Sequence, residues 1–133
     1  MTTHLALALA AALAASSTAY AQTVEANIPF PFTVGKTALP AGKTTFDLQV
    51  AQGVLRVRSA DYKTAAMVIT NGVTAKRNAD GKATIVFNRY GDACFLSQFH
   101  YPGYDGRALP KSVREIELAA GMPAKVEALV ARK

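Results

Sequence analysis

The sequence predicts an all-β domain, a small sandwich or partly open barrel of six to eight mostly antiparallel strands with one short helix near the C-terminus. Three observations predict it. Turn signals recur at short intervals: Pro40-Ala41-Gly42, Gln52-Gly53, Asn71-Gly72, Asp80-Gly81, Gly91-Asp92, Pro102-Gly103 and Asp105-Gly106. Between them apolar and polar residues alternate with a period of two, as in a strand with one wet face. The chain is also short enough that it holds one core, not two.

The first 21 residues read as a secretory signal peptide. Leu5 to Ala15 is an unbroken Ala/Leu run, too short for a bilayer anchor, and Ala19-Tyr20-Ala21 is the small-residue pattern that signal peptidase accepts. Met1 to His4 lacks the usual basic residue, but cleavage before Gln22 is expected. That leaves 112 of 133 residues, 22–133, as a single domain with no transmembrane segment, exported to the periplasm or the medium.

From Val24 to Val34 the pattern predicts one strand. Val24, Ala26, Ile28, Phe30, Phe32 and Val34 share a face, and Pro29 and Pro31 remove donors from one edge only. The strand therefore belongs at a sheet edge, where the prolines block further strand addition; exchange of the strand with a neighbouring molecule is the alternative. Thr44 to Val50 and Val54 to Ser59 follow as amphipathic strands, the second setting Leu55 and Val57 against Arg56 and Arg58. Ala65 to Ile69 is apolar on both faces and reads as a central strand. Ala83 to Tyr90 and Cys94 to Tyr101 form a hairpin turning at Gly91-Asp92-Ala93.

Ser112-Val113-Arg114-Glu115 is a capping box, in which the serine hydroxyl accepts from the Glu115 amide and Glu115 reaches back. Gly121 and Pro123 end that helix. Ala124 to Val130 fits either period and is assigned as a final strand.

Lys and Arg number 15 against 9 Asp and Glu, a net charge of +6. Outside the cytoplasm this favours anionic envelope polymers, lipid headgroups or acidic glycans over nucleic acid, although the charges are scattered singly and serve solubility as well. Cys94 is the only cysteine, so no internal disulfide forms, and Cys94-Phe95-Leu96 reads as a core strand. After residue 21 there is one histidine and one cysteine, with no pair at ligand spacing, and the glycines fall at turns; no metal site or cofactor is expected.

Several spans carry a resemblance: residues 27–36 (NIPFPFTVGK), Leu39-Pro40-Ala41-Gly42, Val54 to Ser59, Phe87 to Asp92, Phe95 to Gln98 and Gly106 to Ser112. They resemble a group of small exported proteins of soil bacteria to which no activity is assigned. The resemblance spans nearly all of 22–133, and it implies export and a β-rich domain without supplying catalytic residues. Cys94 and His100 stand where similar chains are expected to carry an aromatic.

Asn88, Arg89, Tyr90, Asp92, Ser97, Gln98 and His100 lie on one hairpin, from which a Ser/His/Asp set can be drawn. Ser97 and His100 are three apart on a strand and so point to opposite faces, which argues against a hydrolase. Arg89 shares the face of Ile85 and Phe87 and is expected to pair with Asp92 or another carboxylate as a bridge, or to hold an anion. Tyr101, Tyr104 and Arg107 flank a Gly-containing loop suited to a glycan or protein partner, or to covering one end of the barrel. The expected function is non-catalytic: a binding or structural interaction module using Arg89, Asp92, Tyr101, Tyr104, Arg107 or the strand face of Arg56 and Arg58. Two alternatives stand beside it. One is a carrier of an apolar molecule in a cavity lined by Phe30, Phe46, Phe87 and Phe99, and the other is a hydrolase in the 88–107 region.

Overall fold

The computed structural model describes residues 21–73 and 81–132. Residues 1–20 of the expected leader and the Asp80 turn position lie outside the described residues, while Ala21, the residue before the expected cleavage, opens β1. Among the described residues eleven strands and one helix follow in order: β1 (Ala21–Ile28), β2 (Phe32–Val34), β3 (Thr37–Leu39), β4 (Gly42–Gln49), β5 (Val54–Ser59), β6 (Ala65–Ile69), β7 (Asn71–Val73), β8 (Lys82–Tyr90), β9 (Ala93–His100), β10 (Gly106–Ala108), α1 (Val113–Gly121) and β11 (Lys125–Arg132). Four of the strands have only three residues. The longer ones all fall on spans read as strands in the sequence.

Two sheets pack around one core. The first has the order β1-β4-β5-β6 and is antiparallel throughout. The second runs β11-β8-β9-β10-β7, with the β2–β3 hairpin joined to β9 by a single parallel pairing, Thr33 with Phe95. One sheet curls into a half-barrel. At one side β6 passes directly into β7 through Thr70, and at the other β1 lies against β11. Aromatic rings fill the interior: Phe46 stacks on Phe99 at 5.9 Å, and Phe32 meets Phe87 edge to face at 5.3 Å. All four of these rings are at most 2% exposed.

The alternation of β4 and β5 places Phe46, Leu48, Leu55 and Val57 in the core with Arg56 and Arg58 facing outward, but β4 ends at Gln49 and Val50, expected on the core face, is exposed in the turn. The hairpin of β8 and β9 turns on Gly91 and Asp92, and Gly91 adopts the left-handed φ of 62° that such a turn requires. The final strand expected at 124–130 is found as β11, Lys125–Arg132, paired along its length with β8.

Four local expectations need correction. Val24 to Val34 is not one strand: β1 ends at Ile28 and β2 starts at Phe32 in the other sheet. Both prolines fall in the crossing between sheets, because their missing donors end one ladder before the next begins. Inward alternation survives the crossing, with Ile28 and Phe32 buried and Phe30 half-buried against Phe87 at 5.0 Å. β1 is still an edge strand, but the prolines do not shield its edge.

β6 is an edge strand and not a central one. Only Ala66 is buried, while Met67 and Ile69 are 61% and 73% exposed. An apolar side chain on the second face marks burial only if another layer covers that face, and none does among the described residues. Asn71-Gly72 is part of β7, not a turn. The direction change falls one residue earlier, at Thr70, whose amide donates to the Gly53 carbonyl at 2.8 Å.

The helix begins as predicted, with Ser112 Oγ accepting from the Glu115 amide at 3.2 Å. Its other half differs. The Glu115 side chain turns inward, 3% exposed, instead of reaching back to the cap. Gly121 is the last helical residue, and the capping amide is that of Met122, which donates to the Leu118 carbonyl.

Candidate functional site

The residues singled out in the sequence fall into separate neighbourhoods. Arg89 extends from β8 with its guanidinium carbon 5.0 Å from the centre of the Phe30 ring. Its Nε donates to Cys94 Sγ at 3.2 Å, and Nη1 pairs with Glu127 of β11 at 3.4 Å. The carboxylate partner is therefore Glu127, not Asp92. The cross-strand register places Lys125 opposite Arg89, so Glu127 is a diagonal neighbour, two residues along β11. The Cys94 sulfur as acceptor, helped by Glu127, raises the Arg89 pKa further above its ordinary value. Arg89 thus ties β8, β9 and β11 together across the Phe30 crossing.

Cys94 belongs to the core cluster and is 4% exposed. Asp92 remains at the hairpin tip, on the rim of a groove that also includes Pro31, Phe32, Cys94 and Arg114. Ser97 is the extra residue of a bulge in β9: Val86 pairs with Gln98 and Phe87 with Leu96. Its carbonyl accepts from the Leu109 amide, while His100 Nε2 lies 2.7 Å from Gln98 Oε1. No hydrogen bond links Ser97, His100 and Asp92 among the described residues. Nor do three or more His, Cys, Asp or Glu side chains there converge as metal ligands.

Arg107 is also engaged. Its Nε donates to Thr70 Oγ1 at 2.8 Å and Nη2 to the Thr70 carbonyl at 2.7 Å. Thr70 Oγ1 in turn donates to the Gly53 carbonyl at 2.5 Å, so Arg107 clasps the corner where β6 becomes β7. Gly53, at φ 66°, lies directly beneath the guanidinium, where a Cβ would collide with it. Tyr101 packs against the core and meets Tyr104 edge to face at 6.1 Å. Tyr104, 55% exposed, lines a small cleft with Leu48, Val50, Asp105 and Arg107.

Arg56 and Arg58 are different. They alternate on the outer face of the four-stranded sheet, and neither forms an ion pair or side-chain hydrogen bond among the described residues. Asp47 is the cross-strand neighbour of Arg56, yet its oxygens take Thr23 Oγ1 at 3.1 Å and Gln49 Nε2 at 3.4 Å. Arg58 Nε is shielded from water without an acceptor. On the far side Arg56 faces Met67, Arg58 faces Ala65 and Val54 faces Ile69, so arginines and exposed aliphatics form one continuous surface.

The turn after β5 completes that surface. Arg58 sits with its guanidinium carbon 5.2 Å from the centre of the Tyr62 ring, and Tyr62 is 70% exposed at a φ of 58°, which costs a non-glycine residue about 1–3 kcal/mol. Asp61 holds the turn in place: its Oδ1 accepts from Ser59 Oγ at 2.6 Å and from the Lys63 amide at 3.0 Å. The Ser59 hydroxyl first, then the Lys63 amide, lowers the Asp61 pKa and keeps its carboxylate charged. The turn contains no glycine, so nothing in the sequence marked Tyr62 as a left-handed residue.

A second arrangement was also hidden in the sequence. Buried Glu115 accepts from Tyr90 Oη at 2.9 Å and from Asn88 Nδ2 at 3.0 Å, fastening α1 to β8. The capping box suggested a local role for this carboxylate, and only the fold brings Tyr90 to it. No family model, curated protein or solved structure matches the chain in any of the three comparisons.

Proposed function

We propose that this is an exported, non-catalytic interaction module of the cell envelope or extracellular space, and that its binding face is the outer surface of β5 and β6. One observation carries the reading: Arg56 and Arg58 project from the same strand face, unpaired with any carboxylate among the described residues, beside exposed Met67, Ile69 and Tyr62. Arg89 and Arg107, by contrast, are tied to neighbouring strands and hold the fold. Arginine, tyrosine and methionine are the residue types enriched where proteins meet partners, and an open guanidinium fork suits carboxylate or phosphate. The ring-on-ring packing of the phenylalanines supports a filled interior over a ligand-carrying one.

The test compares two variants of equal net charge. Arg56→Ala/Arg58→Ala and Lys82→Ala/Lys111→Ala both lower the charge by two, but only the first alters the proposed face. With the envelope fraction of the producing cells, the arginine variant is expected to lose most of its sedimenting fraction while the lysine variant behaves as wild type. Equal losses would reduce the interaction to net charge and sink the proposal.

A further inference from the structure

Resting on the interaction face just proposed, the geometry points to an anionic phospholipid surface as its occupant: Arg56, Arg58 and Lys63 would meet lipid phosphates while Met67 and Ile69 enter the boundary between headgroups and acyl chains. Charge complementarity is the first argument. The outer face of the four-stranded sheet divides into two halves. On the β1–β4 side Glu25 pairs with Lys43 at 3.4 Å, and Asp47 is held by Thr23 and Gln49. On the β5–β6 side the arginines have no acidic partner: Asp47, opposite Arg56, is taken by Thr23 and Gln49, and Asp61 is turned into its own turn by Ser59 and the Lys63 amide.

The second argument is what the arginines stand beside. Met67 and Ile69 are 61% and 73% exposed, and the register sets Arg56 opposite Met67 and Val54 opposite Ile69. A charged glycan or polymer supplies anions but nothing to cover aliphatic side chains. A lipid surface supplies both, with apolar groups entering about 5–10 Å below the phosphates. Tyr62, amphipathic and held outward by its left-handed backbone, has the character of a residue at the membrane interface.

The third argument is shape. Among the described residues, the grooves at the hairpin tip of Asp92, at the β1 side by Glu25 and at Tyr104 lie away from Met67 and Ile69, and the one at the β3–β4 connection reaches this side only through Ser59, Ala60 and Asp61. A protein partner usually seats anchor residues in pockets, whereas a fluid lipid surface requires none.

The experiment is co-sedimentation of the chain recovered after export, its mass confirming removal of the leader, with vesicles of phosphatidylglycerol and phosphatidylcholine or of phosphatidylcholine alone. Wild type is expected to partition onto the anionic vesicles and not the neutral ones. Arg56→Ala/Arg58→Ala should weaken partitioning by about 30-fold, at roughly fivefold per arginine. Met67→Ser/Ile69→Ser keeps every charge and should still weaken it by about tenfold. The Lys82→Ala/Lys111→Ala variant should remain within about threefold of wild type.

Circular dichroism of each variant separates lost binding from lost fold. Wild-type partitioning by the Met67/Ile69 variant overturns the lipid assignment, as does an equal loss in the lysine variant. Arginine-dependent sedimentation with the cell envelope but none with anionic vesicles also overturns it, leaving the interaction face intact with a protein or glycan as its partner. Envelope binding indifferent to Arg56 and Arg58 removes both readings together.

Discussion

Single side chains divide the labour here, and the arginines show it best. Arg107 uses Nε and Nη2 on Thr70, at a corner that also depends on the Gly53 carbonyl. Removing it leaves partly buried acceptors unpaired, so Arg107→Ala is expected to cost about 1–3 kcal/mol, read as a lower urea midpoint. Arg107→Lys should recover little, because one ammonium cannot reproduce the two-pronged contact. An unchanged midpoint in both would show that the corner does not need the guanidinium. Tyr90 offers a second test at this scale. Burial first, and then its hydrogen bond to the Glu115 carboxylate, raises the tyrosine pKa above its ordinary value of about 10. The folded chain therefore keeps this proton where the unfolded chain has lost it, and the contribution is complete below about pH 10 and declines as pH rises beyond it. Tyr90→Phe has nothing to titrate. It should be less stable than wild type at pH 8, with the gap narrowing above pH 10 in urea titrations of both proteins; a constant gap would contradict the assignment.

At the scale of elements, packing explains where close approach is built in. Gly106 opens β10 directly against the His100 ring and Val73, and a Cβ there would overlap both. Gly106→Ala is accordingly expected to destabilise by about 1–3 kcal/mol through overpacking, whereas Gly121→Ala, at the open end of α1, should be neutral or stabilising. Thermal unfolding of the two variants checks the contrast. These elements also show what the sequence conveyed. Alternation made β4 and β5 legible because each has one face on the core, the Gly91-Asp92 turn marked the β8–β9 hairpin, and the Ser112 cap made the start of α1 legible because its signal is local. The sheet change at Pro29–Pro31 was not, since alternation continues unbroken through the crossing while the pairing partners change. β6 misled for the opposite reason: Ala65 to Ile69 has the composition of a central strand, and only the absence of a covering layer among the described residues distinguishes the two. Of the site residues, Arg56 and Arg58 were readable from period two, but the engagement of Arg107 by Thr70 spans 37 positions and leaves no local trace.

Across the whole molecule, the residues that hold the fold and those proposed to bind are different. Phe32, Phe46, Phe87 and Phe99 join both sheets into one core, so unfolding should be a single cooperative transition in a chain of this size. The outer face of β5 and β6 lies outside that core, and its arginines and aliphatics make no ion pairs or side-chain hydrogen bonds among the described residues whose loss the fold would register. Arg56→Ala/Arg58→Ala and Met67→Ser/Ile69→Ser are therefore expected to shift stability by no more than about 0.5 kcal/mol per site, with unchanged denaturant slope. Relief of repulsion between two like charges on neighbouring outward positions could even raise the midpoint of the arginine variant. A core change such as Phe46→Ala should instead cost about 3–5 kcal/mol. Urea titrations of all three, monitored by both far-ultraviolet circular dichroism and tyrosine fluorescence, test the separation. If the arginine variant unfolds as early as the core variant, the guanidinium groups belong to the fold, and the binding face must be sought elsewhere on the surface.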